Sequence, residues 1–225
     1  MAPRRLHRWD LSPREAIQIQ RTLTGRLVLA WDGRKVTSVA GVDVSVKAGR
    51  ARAAIVVLRY PDLEPIEGAT AEADAVFPYV PGLLTFREGP VILAAWQRLR
   101  SEPDLLLFDG QGIAHPRGMG LAAHIGLWLD RPSVGVAKSR LYGAFEPPGP
   151  NRGDSADLRD EKDPERIIGG VLRTRSGVRP VFVSPGHRID VEHAIKFTSA
   201  CCTRYRLPET TRWAHRVAGG EKLPT

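Results

Sequence analysis

What the chain lacks narrows its class first. Only two of its 225 residues are cysteines, Cys201 and Cys202, and they are adjacent. Neighbouring cysteines build neither a disulfide framework nor a spaced zinc set, so a reduced, cytoplasmic setting is expected. No run of about 18 apolar residues exists, so no membrane span is expected. The opening MAPRRLHRWD has no apolar core of the kind a secretory signal needs. The dinucleotide pattern G-x-G-x-x-G fails too, because after Gly110 and Gly112 the third glycine is replaced by His115. No glycine-lysine pair followed by serine or threonine closes a glycine-rich turn, which removes the P-loop. Acids are the scarcer charge, 25 against 33 lysines and arginines, leaving a net charge of +8. Such an excess favours a polyanionic partner, although many basic soluble proteins bind nothing acidic.

What remains is an ordinary globular composition, 42% hydrophobic and 26% charged. The length suits one α/β domain over residues 1–225. Ser12-Pro13-Arg14-Glu15 has the form of a capping box opening a helix to about residue 23. Valine-rich 35–46, then 51–60 and 69–76, predict three short antiparallel strands. Pro78-Tyr79-Val80-Pro81-Gly82 forces a stiff loop. Residues 85–100 predict a helix, with Thr85 and Glu88 spaced as a second capping box. Strands at 104–108 and 133–137 with a helix at 121–129 between them suggest parallel pairing. The stretch 143–166, rich in glycine, proline and charge, is expected as a surface loop. Strands at 167–174 and 179–183, a helix at 191–202 and a frayed tail at 219–225 complete the expected outline.

Three acids occupy unusual places. Asp43 lies among valines inside a strand, where aspartate is disfavoured. Asp109 ends the apolar run LLLF, and an unpaired carboxylate there is costly. Glu88 opens a helix behind a rigid loop. Carboxylates brought together in a poorly solvated place repel, and a divalent cation with a taste for hard oxygen ligands resolves that. Each acid also has a plain structural reading: Glu88 as a cap, Asp109 as an Asp-Gly turn residue. His115, beside Arg117, can face a phosphate or simply sit in a surface loop. Lys138 ends a strand much as Asp109 does and can neutralise a phosphate, or be a solvated lysine. SPGHR at 184–188 places His187 in a turn that either binds an anion or merely enters a helix. His215 has no informative neighbours.

The phrases GVDVS, PYVPGLLTFRE, LLLFDGQGIAHPRGMGLAAHIG, PSVGVAKSRLYG and PVFVSPGHRID, in this order, resemble the endonuclease V family over most of the chain. The resemblance implies a ribonuclease-H-like α/β fold, with a mixed central sheet of an antiparallel meander plus parallel strands flanked by helices. It implies a DNA-repair enzyme that recognises deoxyinosine and cuts the second phosphodiester 3′ to it, leaving 3′-hydroxyl and 5′-phosphate ends. It implies Mg2+, with Mn2+ able to substitute. Asp43, Glu88 and Asp109 fall on the metal-binding catalytic acids, and His115, Lys138 and His215 on further catalytic positions. Pro78, Tyr79, Val80, Pro81 and Gly82 fall on a wedge that inserts into the duplex. Gly110, Gly112, Arg117 and His187 are the remaining expected DNA contacts, with the glycines allowing close approach of a nucleic-acid backbone. Val46, Met119 and the proline-rich stretch 146–150 depart from the family's usual residues. The expected partner is inosine-containing DNA, or RNA, and the default state is a monomer. The alternatives are another ribonuclease-H-like nuclease, for which the wedge has no purpose, and a non-catalytic nucleic-acid-binding module, against which three phosphate-repelling acids argue.

Overall fold

A computed structural model describes residues 5–222. Its centre is an eight-stranded mixed sheet among the described residues, in the order β3-β2-β1-β4-β5-β8-β7-β6. The meander β1 (Ser38–Lys47), β2 (Arg50–Arg59) and β3 (Pro65–Asp74) is antiparallel. β4 (Leu105–Phe108) joins β1 in parallel, and β5 (Ser133–Ala137) joins β4 in parallel. The far half, β6 (Ser155–Arg159), β7 (Ile167–Leu172) and β8 (Val181–His187), is antiparallel again. This is the ribonuclease-H-like arrangement expected, and β4 and β5 are fully buried apolar runs, as central parallel strands must be.

Helices cover both faces. On one, α2 (Leu84–Trp96) and α3 (Leu121–Leu129) set Val91, Ile92, Ala95 and Ile125 against Ala40, Val42, Leu106 and Phe108. On the other, α4 (Val191–Ala200) and α5 (Glu209–Ala218) set Ala194, Phe197 and Val217 against Val39, Leu105 and Leu107. The strand residues alternate between the two clusters, as period-two geometry requires. α1 (Pro13–Thr24) opens with the expected capping box, Ser12 accepting from Glu15 N and Glu15 reaching back to Ser12 N.

Five expectations need correction. Thr85 and Glu88 form no capping box. Leu83 is the N-cap and offers no side-chain bond, because backbone turns, Leu83 N to Val80 O at 2.9 Å and Phe86 N to Leu83 O at 3.0 Å, lead into the helix. The helix also ends at Trp96 rather than near 100. The loop at 143–166 contains β6, an edge strand with Leu158 buried, whose polar composition suits an edge. Residues 184–187 are not a turn but the end of β8, all buried. Finally, α5 was not expected, although Thr210, Thr211, Ala214, Val217 and Ala218 form a buried stripe along it. Gly219 to Lys222 carry no regular element, and 223–225 lie outside the described residues.

The N-terminal segment packs as an aromatic plug on α2 and α3. Trp9 stacks on Trp128 with ring centroids 4.6 Å apart, and His7 bonds His124 between Nε2 atoms at 2.8 Å. A Cβ on Gly89 would lie 2.5 Å from the Trp9 ring, so that glycine admits the plug. Burial holds His124 down at about 3 and also lowers His7. The folded state therefore refuses protons that the unfolded chain accepts. Stability is complete above the ordinary histidine value near 6.5 and is lost as pH falls from there towards the depressed values. Denaturant midpoints should fall between pH 6.5 and 4.5, and His124→Phe should remove a part of that fall worth on the order of 1–3 kcal/mol. An equal pH response in this variant would show that His124 is not the group that titrates.

Candidate active site

Register sets the centre of the site. Val42 of β1 pairs with Phe108 of β4, and Asp109 N donates to Val42 O at 3.1 Å. The next residue on each strand is an aspartate, so Asp43 and Asp109 stand side by side. Both share the face that α5 covers. Gly41, two residues before Asp43, is what lets α5 approach: a Cβ there would lie 1.9 Å from the carbonyl oxygen of Thr210. The close approach brings His215 over the strand end, where its Nδ1–H donates to Asp43 Oδ2 at 2.7 Å. Ligand atoms of Asp43, Asp109 and His215 all lie within 4.8 Å of one another. Lys138, at the end of β5, places its ammonium 2.5 Å from Asp109 Oδ2.

Glu88 enters from the opposite face on α2, which is why it stands outside that three-residue group. Only 9% exposed, it makes no hydrogen bond or ion pair with any described residue. Burial, then the charges of Asp43 and Asp109, push its carboxyl up to about 8, against the opposing charge of Arg87. Burial and Asp109 likewise raise Asp43, although the His215 bond works the other way. Three carboxylates thus crowd one strand end, destabilising their own charge. Hard oxygen donors in mutual repulsion, with an imidazole at the rim, fit a divalent cation.

A cavity of about 360 Å³ adjoins this cluster. Its walls include Asp109 and Gly110 on one side, Lys138 to Leu141 on another, and Tyr79 to Gly82 on a third. The loop 78–82 is held at one atom. Gly82 O accepts from Gln20 Nε2 at 2.9 Å, from His115 Nε2 at 2.9 Å and from Arg117 Nη2 at 2.8 Å. Gly82 has φ +79°, and a Cβ would lie 2.6 Å from the Arg117 guanidinium, so glycine is required. Burial, helped by Arg117, holds His115 down at about 4. The ring is therefore neutral, and its Nδ1 accepts from Arg117 N at 3.1 Å. His115 and Arg117 position the loop rather than facing the carboxylates. The other end of the loop projects outward: Tyr79 is 72% exposed and stacks on no other ring among the described residues.

Two expected contacts fall elsewhere. His187 is buried opposite Ser133, at the far end of β5 from Lys138, and bonds Val28 N and Asp130. Gly112 is buried against the protein itself, since a Cβ would lie 2.1 Å from Pro185 O. It serves close packing of backbone on backbone, and only Gly110 of the two lines the cavity. Conversely, Gln20 and Gly41 carry positioning roles that no motif announced, because their partners lie 62 and more than 160 residues away.

A ribonuclease-H-like sheet with acids gathered at paired strand ends defines a nuclease of that class. Residues 21–216 match the family model described as endonuclease V. An endonuclease V of Methanothrix thermoacetophila is 52% identical over 215 residues, 96% of this chain and 94% of its own length. The crystal structure of endonuclease V from Streptomyces avermitilis superposes with a TM-score of 0.88 at 44% identity, covering 94% of this chain and 93% of that one. That of Ciona intestinalis endonuclease V, in complex with a 24mer DNA containing an inosine followed by a ribo-adenosine, superposes with 0.78 at 27% identity, covering 92% and 95%. The chain belongs to the endonuclease V family.

Gly41→Ala should separate α5 from β1. Overpacking of this kind costs about 1–3 kcal/mol. The variant should unfold at lower denaturant and lose the His215–Asp43 bond, seen as a changed His215 imidazole resonance. Wild-type stability with an unchanged resonance would show that α5 does not need the glycine.

Proposed function

We propose that this chain is a DNA-repair endonuclease that recognises deoxyinosine and cleaves the second phosphodiester on its 3′ side. The observation that carries the reading is the cavity between the exposed Tyr79 loop and the Asp109–Lys138 pair. A base must leave the stack before a pocket can read it, and the gap must be filled. Tyr79, on a loop stiffened by Pro78 and Pro81 and anchored through Gly82 O, is suited to fill it. The pocket then receives the base while the strand passes over the acids.

Asp43, Asp109 and Glu88 would hold Mg2+ or Mn2+, with His215 at the rim. Such a cation supplies Lewis-acid polarisation and activation of water. Water attacks phosphorus in line, the bond to the 3′-oxygen breaks, and that oxygen gains a proton, leaving 3′-hydroxyl and 5′-phosphate ends. His215, exposed and tied to Asp43, can carry a proton between the cluster and solvent. Lys138, now bonded to Asp109, would be placed to neutralise a phosphate oxygen at the same strand end. The ribo-adenosine in the Ciona complex favours, as a second reading, a strand containing ribose 3′ to the inosine. Rates on all-DNA, chimeric and all-RNA inosine oligonucleotides decide between the two. The partner is nucleic acid, and no helix among the described residues is long and apolar enough to cross a membrane.

Asp43→Ala and Asp109→Ala should each lower nicking of inosine-containing duplex with magnesium by roughly a thousandfold or more. Near-normal cleavage by either would overturn the site. Tyr79→Ala should weaken binding to inosine-containing duplex about tenfold, since a ring on bases contributes roughly 1–3 kcal/mol. It should matter less for inosine in single-stranded DNA, where no stack needs filling. Equal losses on both substrates would reject the wedge.

A further inference from the structure

A second concavity lies at the same end of the sheet. It has a volume of about 340 Å³, and Lys138, Arg140, Arg173, Arg179 and Arg206 line it together with Phe145. No carboxylate lines it. Its arginines bond only to backbone oxygens: Arg140 to Gly143 O, Arg173 to Gly149 O and Pro148 O, and Arg206 to Lys138 O and Pro180 O. Arg179 is exposed and has no bonded partner among the described residues. Elsewhere several arginines of strands and loops meet acids, as Arg52 does Glu72, Arg59 does Glu64 and Arg188 does Asp130. Carbonyl bonds fix a guanidinium without cancelling its charge. The four guanidiniums of the cleft thus keep their charge unneutralised, while Lys138 leans on Asp109, and together they form a cationic trough, the complement of consecutive phosphates.

Its position gives the direction. Along the strand ends the order is Asp43 on β1, Asp109 after β4, Lys138 after β5, Pro180 before β8 and Arg173 after β7. Lys138, Ser139 and Arg140 form a wall common to this cleft and the base cavity. The base cavity therefore stands between the acids and the trough. We infer that the trough binds the phosphodiester backbone on the 5′ side of the lesion. The inference rests on the reading above, in which the base occupies the first cavity and the cut falls 3′ to it, over the acids.

Arg179 carries the test, because it bonds no described residue and lies outside the base cavity and the acid cluster. Binding of the full chain to inosine-containing and unmodified duplex is titrated without divalent metal, from about 50 to 200 mM salt. For Arg179→Gln the slope of log affinity against log salt should shrink by about 0.9, the amount expected for one lost phosphate contact. Arg179→Lys should restore it, since a point charge suffices. Single-turnover cleavage at saturating protein should be unchanged. An uncharged methylphosphonate linkage placed 5′ to the inosine should weaken wild type and leave Arg179→Gln no worse. The same linkage placed 3′ should leave the ratio of the two proteins as it was. An unchanged salt slope, or coupling to 3′ linkages alone, overturns the inference. The two readings fail separately: absence of any preference of wild type for inosine over unmodified duplex sinks the proposed function, while the salt slope on unmodified duplex still decides whether the trough holds phosphates.

Discussion

Two carboxylates held side by side by a parallel strand register are the constraint on which the rest of this structure depends. Pairing Val42 with Phe108 fixes Asp43 and Asp109 as neighbours before any side chain is placed. Their repulsion is then moderated from two directions, by an imidazole on α5 and an ammonium after β5, while from the other face a buried carboxyl that itself resists ionising adds to the crowding. The imidazole and the buried carboxyl each arrive through tight packing. α5 rests on Gly41 without an intervening side chain, and Trp9 rests on Gly89, next to Glu88. A fold built for stability alone would avoid the arrangement, because uncompensated charge at a buried strand end is costly. Its retention at this point is intelligible if a cation completes it.

The loop at 78–82 follows the opposite logic. Its tip is exposed and apolar, while its base is fixed at one carbonyl that three donors share. The donors come from α1 and from the segment after Gly112, so the loop is tied to the shell of the cavity it borders. The neutrality of His115 is part of this: a ring that donates through Nε2 and accepts through Nδ1 has no room for a second proton. Arg117 meanwhile spans Gln20 and Gly82, so loop, helix and cavity wall move as one piece.

Much of this was legible in the sequence because local chemistry and global fold agree. LLLF, SVGVA and the capped start of α1 read directly as what they are. Asp43 and Asp109 stood out because local structure gives an acid so little reason to be there. The failures share a cause. Glu88 looked like a cap because its spacing from Thr85 mimics one, and only the turn geometry at Leu83 shows otherwise. α5 went unread, and with it the context of His215, because the contacts that give it meaning, Thr210 on Gly41 and His215 on Asp43, span about 170 residues. Gly112 suggested access for a ligand, whereas its neighbour is Pro185, far along the chain. Spacing reveals what is near in sequence, and these roles are set by contacts across it.

The net charge of +8 gains meaning only through its placement. A uniformly basic surface would attract DNA but could not orient it. Here many arginines are spent on acids beside them, so the field they project is weak. The cations lining the trough lack such partners, save Lys138, which leans on Asp109 and so joins the two regions. The strand ends therefore present a gradient, from carboxylates over β1 and β4 to guanidiniums over β8 and β7. A polyanion laid across it is drawn towards one end and repelled at the other until a cation occupies the acids. On the proposed reading, binding and readiness to cut would be separated along a single edge of the sheet: the trough would hold a strand without metal, and the acids would accept its phosphates only with it.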